Sequence, residues 1–491
     1  MKSVGLSNFI IAIPEIYLVL IAFTILLFGL TQNIKEYVEK IVFFYKISYI
    51  TMFSIFLSII LIISIGDIYV ASFNGIFMIS PMIYVYKIIL LLLVLMITIL
   101  SRRYLIDIEM FNYEYLVVFL FFVVGNLLMV SSNDFLAFYI TLELTTICLY
   151  ILMFMDKYSN FSMEAGIKYF LLGSLGTAFL LYGISLLYGY TGNTSFTEIK
   201  TFLQNKPDNW IAIIALVMII VGIGFKLSLV PFHMWTPDVY KGVNNFVLLL
   251  LAVIVKISVL FIFVRILWEP LLYMRDQWQY IIELLIVLSA IIGFIVAIYQ
   301  TSLKSFIAYS SIGNMSYVLL AVLNPSVLSM KSITFYLVSY SVALIGFVAS
   351  CMLIKKDNKF IEEIYDLKGL YKYHPYLAFM ITVFLLSLAG IPITAGFFAK
   401  GFILFATIKL HLFTLAVVVA VLSVVIMYYY FRIIRVMYFT YEDEGDDLQL
   451  SYAKTKVDLS IVLLILFTFT LGFVFLLYPL NSLLSNFLVL L

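Results

Sequence analysis

The chain has 491 residues, of which 65% are hydrophobic and 11% charged, and 29 basic against 27 acidic side chains leave a formal net charge of +2. Soluble domains carry roughly 25% charge, so a water-soluble fold is excluded and a polytopic membrane protein is expected. Two cysteines, Cys148 and Cys351, fall in separate predicted helices. Iron-sulfur ligation usually takes four cysteines, so no such cluster is expected within this chain. The three histidines, His233, His374 and His411, fall at or near predicted helix ends or breaks, which speaks against a bis-histidine haem. No cofactor is expected here, and any redox chemistry would run in a partner.

Apolar runs of about 20 residues, the length that crosses a hydrocarbon core of about 30 Å as a helix, recur along the chain. No alternating short segments of a β-barrel appear. The runs predict an all-α polytopic fold of about fourteen spans, centred near residues 19, 54, 94, 122, 144, 176, 220, 255, 289, 313, 342, 388, 424 and 470. Polar stretches around 190–209, 355–373 and 439–456 are the longest connections, and none has room for a soluble domain.

The first span, about Phe9 to Leu30, is too long for a signal-peptide core and lacks a small-residue cleavage site, so it reads as a retained helix. Glu15, just after Pro14, reads as its cap or as a structural contact. Lys87, in the third run, is expected to snorkel to the interface. Glu143, in YITLELTTICLY, is the only carboxylate in the interior of the fifth span. In the sixth, Lys168 follows Glu164 by four residues, so a proton-carrying role and simple neutralisation by an i,i+4 pair weigh equally.

The seventh span, about Trp210 to Lys241, contains Gly222, Gly224, Pro231 and Pro237, and the twelfth, about Pro375 to Lys409, contains Gly390, Pro392, Gly396 and Gly401. Proline removes a donor and collides with the preceding turn, so both helices should break inside the membrane, facing protein or water. Paired broken helices five spans apart point to two inverted five-helix repeats, spans 4–8 and 9–13, with an ion site at each midplane. The expected divisions are 1–110 for three N-terminal helices, 111–268 and 269–438 for the repeats, and 439–491 for a polar loop and last helix.

Lys226 lies about one turn before Pro231, Lys256 sits in LAVIVKISVLF with no acid in its own helix, and Lys400 lies just beyond the second break. Each charge at the bilayer centre costs about 3 kcal/mol on insertion scales, so such residues usually mark an ion or proton path. A lysine whose carboxylate partner can approach or withdraw is a switchable proton carrier, and Glu143 is the expected partner of Lys226. The expected path runs Lys226, Lys256, Lys400, with waters bridging the gaps. Lys304 is read as facing the aqueous boundary, His233 as lining water or as a structural histidine, and the many aromatics mostly as lipid-facing and interfacial packing.

Seventeen of the 29 basic residues fall in loops after odd-numbered spans and eight on the opposite side, the remaining four being the intramembrane lysines. The positive-inside rule then places both termini on the outer, electrically positive side.

The segments LEL with Glu143, EAGIKYFLLGS with Lys168, FKLSLVPFHMWTPDVYKG with Lys226, LKSFIAYSSIGNMSY with Lys304 and LAGIPITAGFFAKGF with Lys400 resemble the antiporter-like proton-pumping subunits of respiratory complex I. FHMWTPDVY and a lysine in the twelfth span resemble the NADH dehydrogenase subunit 2, or bacterial subunit N, family. The resemblance covers nearly the whole chain. It implies a subunit of an H+-translocating NADH:ubiquinone reductase, working beside other membrane-arm subunits, neighbouring antiporter-like subunits and lipids, without nucleic acid. Partner subunits would carry FMN and iron-sulfur clusters, and ubiquinone would be the substrate of the complex. The mitochondrial inner membrane is favoured, with a bacterial plasma membrane as the alternative. Asn314 stands where the family frequently has histidine, so no protonatable role is assigned there. A subunit of a cation/proton antiporter complex, and a purely structural spacer whose charges only fix packing, are the competing readings.

Overall fold

The computed structural model describes residue 9 and residues 12–32, 36–66, 69–156, 159–207, 209–356, 359–439, 450–452 and 459–472. The two chain ends, and with them the expected side of the termini, lie outside the described residues, as do Lys2, Lys35, Lys157, Lys454 and Lys456 of the charge count.

Among the described residues, twelve helices are long and apolar enough to cross a membrane. Spans one to six are Ile13–Thr31, Tyr37–Ile65, Pro81–Asp107, Tyr113–Ser131, Phe135–Phe154 and Asn160–Thr191. The seventh begins as Trp210–Leu227, and the eighth to eleventh are Asn245–Trp268, Leu272–Ala297, Leu303–Val322 and Val327–Cys351. The thirteenth is Phe413–Phe439. The twelfth consists of two shorter helices, Pro375–Ala389 and Ala395–Ile408, and Leu459–Gly472 stands in the place of the fourteenth. Both expected discontinuities are therefore present. The chain forms two compact units, one of Met1–Leu227 with Gly242–Gln279 and the other of Ser228–Lys241 with Tyr280–Leu491.

In the first unit the helix ends follow local chemistry. Ser80 accepts a hydrogen bond from the Ile83 amide ahead of Pro81, and Asp134 accepts from Leu136 and Ala137, each capping the span that follows. Gly192, at φ +74°, closes the sixth span in the left-handed conformation that glycine adopts without Cβ strain. The sixth span packs along Trp210–Leu227 at close range. A side chain at Gly222 would meet Leu180 Cβ at 2.6 Å and the Gly176 carbonyl oxygen at 2.9 Å, which is the small-residue packing of membrane helices.

Between these two helices the expected loop contains an amphipathic helix, Phe196–Asn205, with Phe196, Ile199 and Leu203 buried on one face. Its Phe196 ring meets Phe135 at 4.9 Å. Arg265, buried at the end of the eighth span, holds this corner together. It donates to the Ser132 carbonyl at 2.7 Å and Asn133 Oδ1 at 3.2 Å, and pairs with both oxygens of Glu269.

Lys87 departs from its expected place. It does not snorkel but is 3% exposed and bonded to Glu15 Oε1 at 2.5 Å. Two charges that would each be costly in an apolar interior neutralise one another there. Glu15 is thus a structural contact, as its position suggested. A short hairpin also went unforeseen: β1 (Val70–Ser72) pairs antiparallel with β2 (Phe77–Ile79) between the second and third spans.

In the second unit, Ser228 adopts φ +61° and Val230–Pro231 is a cis peptide, after which the chain turns into the short helix Trp235–Gly242. The Val230 amide donates to Ser289 Oγ at 3.0 Å. The tenth and eleventh spans are almost wholly buried and form the core of this unit. Three short strands, β3 (Ile354–Lys356), β4 (Lys359–Phe360) and β5 (Leu450–Tyr452), pair antiparallel in the order β4-β3-β5.

Candidate functional site

The first unit gathers Glu143, Tyr150, Tyr169 and Lys226. Lys226 lies in the last turn of Trp210–Leu227, where the helix dipole favours a cation. It is 3% exposed, and its Nζ makes no hydrogen bond to protein. The ammonium lies 5.5 Å from the centre of the Tyr169 ring. Gly173 explains how the neighbours fit: a Cβ there would come 2.7 Å from the Tyr150 hydroxyl and 3.5 Å from Lys226 Nζ. Glu143 is half-buried, its Oε2 accepts from the Thr146 hydroxyl at 3.0 Å, and its charge acts on both Tyr150 and Lys226. The expected pair is therefore an electrostatic one, with Thr146 and Tyr150 supplying hydroxyls around the two charges.

Lys168 is brought less deeply into the fold. Its side chain is 40% exposed and paired to Glu164 at 2.9 Å on the same helix face. Exposed i,i+4 pairs contribute only a few tenths of a kcal/mol.

Lys256, 2% exposed, sits in an eighth span that is buried on all sides. That helix starts at Asn245, capped by Asn244 Oδ1, passes through a π-helical turn over Leu250–Val255, and returns to α geometry at Lys256 itself. Such π turns are rare and concentrate at functional sites. Two residues beyond Lys256, Ser258 donates to Asn126 Oδ1 at 2.6 Å, and Asn126 Nδ2 donates to the Phe122 carbonyl. This pair was not anticipated. A lone asparagine within the apolar fourth span was the available signal.

In the second unit, Lys400 is 7% exposed and donates to the carbonyls of Leu388 at 2.9 Å and Ala389 at 3.0 Å. These are the last carbonyls of Pro375–Ala389, so the ammonium caps the helix end exposed by the break and meets the negative end of its dipole. Gly390, at φ +83°, makes the turn possible, and a Cβ there would reach Lys400 Cδ at 2.8 Å. Gly390→Ala is accordingly expected to retain assembly but to displace Lys400, with about 1–2 kcal/mol of added backbone strain and a measurable fall in ion translocation. Thermal denaturation and a flux assay of the same variant would check both parts.

Lys400 also lies 5.3 Å from the centre of the Tyr317 ring, and Tyr317 opens a buried array. Tyr317 stacks on Tyr336 at 6.0 Å and Tyr336 on Tyr340 at 6.3 Å, while the Tyr336 hydroxyl donates to Asn314 Oδ1 at 3.1 Å. Tyr430 sits by Ser310 and Asn314, and Tyr240 and Tyr340 by Ser311. The hydroxyls of Tyr240, Tyr340 and Tyr430 and Asn314 Nδ2 make no direct protein hydrogen bond of ordinary geometry. His233 Nδ1 and Thr236 Oγ1 are likewise buried without a hydrogen bond of ordinary geometry. These tyrosines are interior groups, contrary to the mostly lipid-facing reading of the aromatics. The i,i+4 spacing of Tyr336 and Tyr340 was the only sequence signal. Among the described residues no group of three or more His, Cys, Asp and Glu side chains comes together.

Buried ammonium groups beside broken membrane helices are the arrangement expected of an ion- or proton-translocating membrane subunit. Residues 132–426 match the family described as NADH:quinone oxidoreductase/Mrp antiporter, transmembrane, and the chain belongs to that family. Within it, the chain is 35% identical over 464 residues, 94% of each chain, to NADH-quinone oxidoreductase subunit N of Paramagnetospirillum magneticum. It is 34% identical over 486 residues to the subunit N of Bartonella bacilliformis, covering 97% of this chain and 96% of the other. A chain of respiratory complex I from Thermus thermophilus superposes with a TM-score of 0.76 at 25% identity, covering 93% of this chain and 97% of that one. A chain of an Mrp complex from a Dietzia species shares the fold with a TM-score of 0.78 at 16% identity, covering 100% and 98%.

Proposed function

We propose that this chain is a core membrane-arm subunit of respiratory complex I, moving protons across a coupling membrane as partner subunits carry out NADH:ubiquinone oxidoreduction. The observation that carries the reading is the pair of desolvated ammonium groups, Lys226 without a protein hydrogen-bond partner and Lys400 on the free carbonyls of a broken helix. Such groups can bind and release a proton with small movements of their surroundings. Glu143 modulates Lys226, Lys256 relays, and Lys400 exchanges with an aqueous side, with water carrying protons over the intervals. Lys168 has the weaker claim, because Glu164 already neutralises it at a part-exposed position.

FMN and iron-sulfur clusters belong, in this reading, to partner subunits, and this chain supplies no redox centre. Ubiquinone is the substrate of the assembly. The proposed location is the mitochondrial inner membrane, with the bacterial plasma membrane as the alternative, and both termini on the positive side. The division into three N-terminal helices, two inverted repeats and a last helix is retained as the topological frame of the proposal.

Lys256→Ala tests the reading most directly, since this residue lies in the least exposed span. Proton pumping per electron is expected to fall at least about tenfold in an assembled complex. Normal pumping by that variant would overturn the proposal, and co-purification without flavin and iron-sulfur proteins would favour a cation/proton antiporter complex instead.

A further inference from the structure

We infer that the first unit holds a site for a membrane lipid whose headgroup presents a hydrogen-bond donor, an ethanolamine ammonium or a glycerol hydroxyl, to Glu15. A cavity of about 360 Å³ lies between the first span, the β1–β2 hairpin and the third and fourth spans. This is within the range of built ligand pockets. Its walls are apolar, formed by residues such as Val19, Phe73, Met78, Val124 and Leu128, and four polar side chains reach it, Glu15, Ser72, Lys87 and Ser131.

Three of the four donate a hydrogen bond within the protein. Ser72 Oγ donates to the Phe77 carbonyl at 3.2 Å, Ser131 Oγ to the Leu127 carbonyl at 2.9 Å, and Lys87 to Glu15 Oε1. The fourth is half-used: Glu15 is 3% exposed and its Oε2 has no partner. A carboxylate oxygen only accepts, so the group it awaits is a donor. An apolar cavity of this kind does not hold water readily.

The rim identifies the direction of entry. Ile16, Leu20 and Phe23 of the first span line the cavity and are 38%, 58% and 51% exposed, so in a bilayer it opens onto hydrocarbon. Glu15 lies in the first turn of that span, at the helix end where a headgroup would be met. An acyl chain fits the walls and a headgroup donor fits Glu15. Because Lys87 already neutralises the carboxylate, the site selects for a donor rather than for net charge.

The test uses the intact complex, reconstituted in nanodiscs of phosphatidylethanolamine, phosphatidylglycerol or phosphatidylcholine and then counted for retained lipid by native mass spectrometry. The donor-bearing lipids are expected to be retained about tenfold more strongly than phosphatidylcholine, the scale of one charge-assisted hydrogen bond. Preference for ethanolamine identifies an ammonium donor, preference for glycerol a hydroxyl. Val19→Phe fills the cavity without touching the ion pair and is expected to lose the retained molecule, with Leu128→Phe doing the same from the opposite wall. Glu15→Gln can present an amide donor in place of Oε2 and should abolish the preference. Equal retention of phosphatidylcholine, unchanged retention in both filled variants, or capture of a neighbouring subunit by a photo-crosslinker at Leu20 would each overturn the inference.

Discussion

Lys226→Ala is expected to abolish most proton pumping per electron, by at least about tenfold, while leaving an assembled complex. The two halves of that statement have separate causes. Lys226 Nζ makes no hydrogen bond to protein, so its removal leaves no orphaned partner, and the carboxylate of Glu143 keeps its own contact with Thr146. The lost charge makes no hydrogen bond and its partner Glu143 is only half-buried, so Lys226→Met, which keeps most of the volume, should be close to neutral in stability. What disappears is the charge beside Tyr150 and Tyr169. Membranes carrying either variant would be followed for pumping, NADH oxidation and complex content together. Full pumping in both would reduce Lys226 to a packing residue and favour the spacer reading.

Lys400→Ala is expected to lose both translocation and stability, because this ammonium serves as a helix cap as well as a charge. Its removal strands the carbonyls of Leu388 and Ala389 in a buried site, at a cost of about 1–3 kcal/mol for each group left unsatisfied. Lys400→Gln separates the roles. An amide still donates to those carbonyls but holds no titrating proton, so it should restore thermal stability toward wild type while pumping stays low. Recovery of pumping in Lys400→Gln would show that capping alone is required at this position.

The spans and both breaks were legible because they depend on local composition. Runs of about 20 apolar residues give helices of membrane length, and Pro231 and Pro392 interrupt them wherever the rest of the chain goes. The Glu164–Lys168 pair was legible for the same reason, being four residues apart. Contacts between distant segments were not. Lys87 finds Glu15 across 72 residues, and the pattern around Lys87 gave no hint of a carboxylate. Tyr317, Tyr336, Tyr430 and Asn314 converge only after three spans pack. Strands of two or three residues are too short for an alternating pattern to register. The π turn before Lys256 has no sequence signature, since Leu250–Val255 reads as an ordinary apolar helix.

That turn gives the eighth span a built-in torsional slack. A π turn accommodates an extra residue, and each residue of an α-helix advances the azimuth by roughly 100°. If the wide turn slid past position 256, the Lys256 ammonium would be re-aimed to another face while the helix kept its length and its anchoring at Asn244 and Arg265. Such a shift would change the surroundings of one charge while both ends of the span stayed in place.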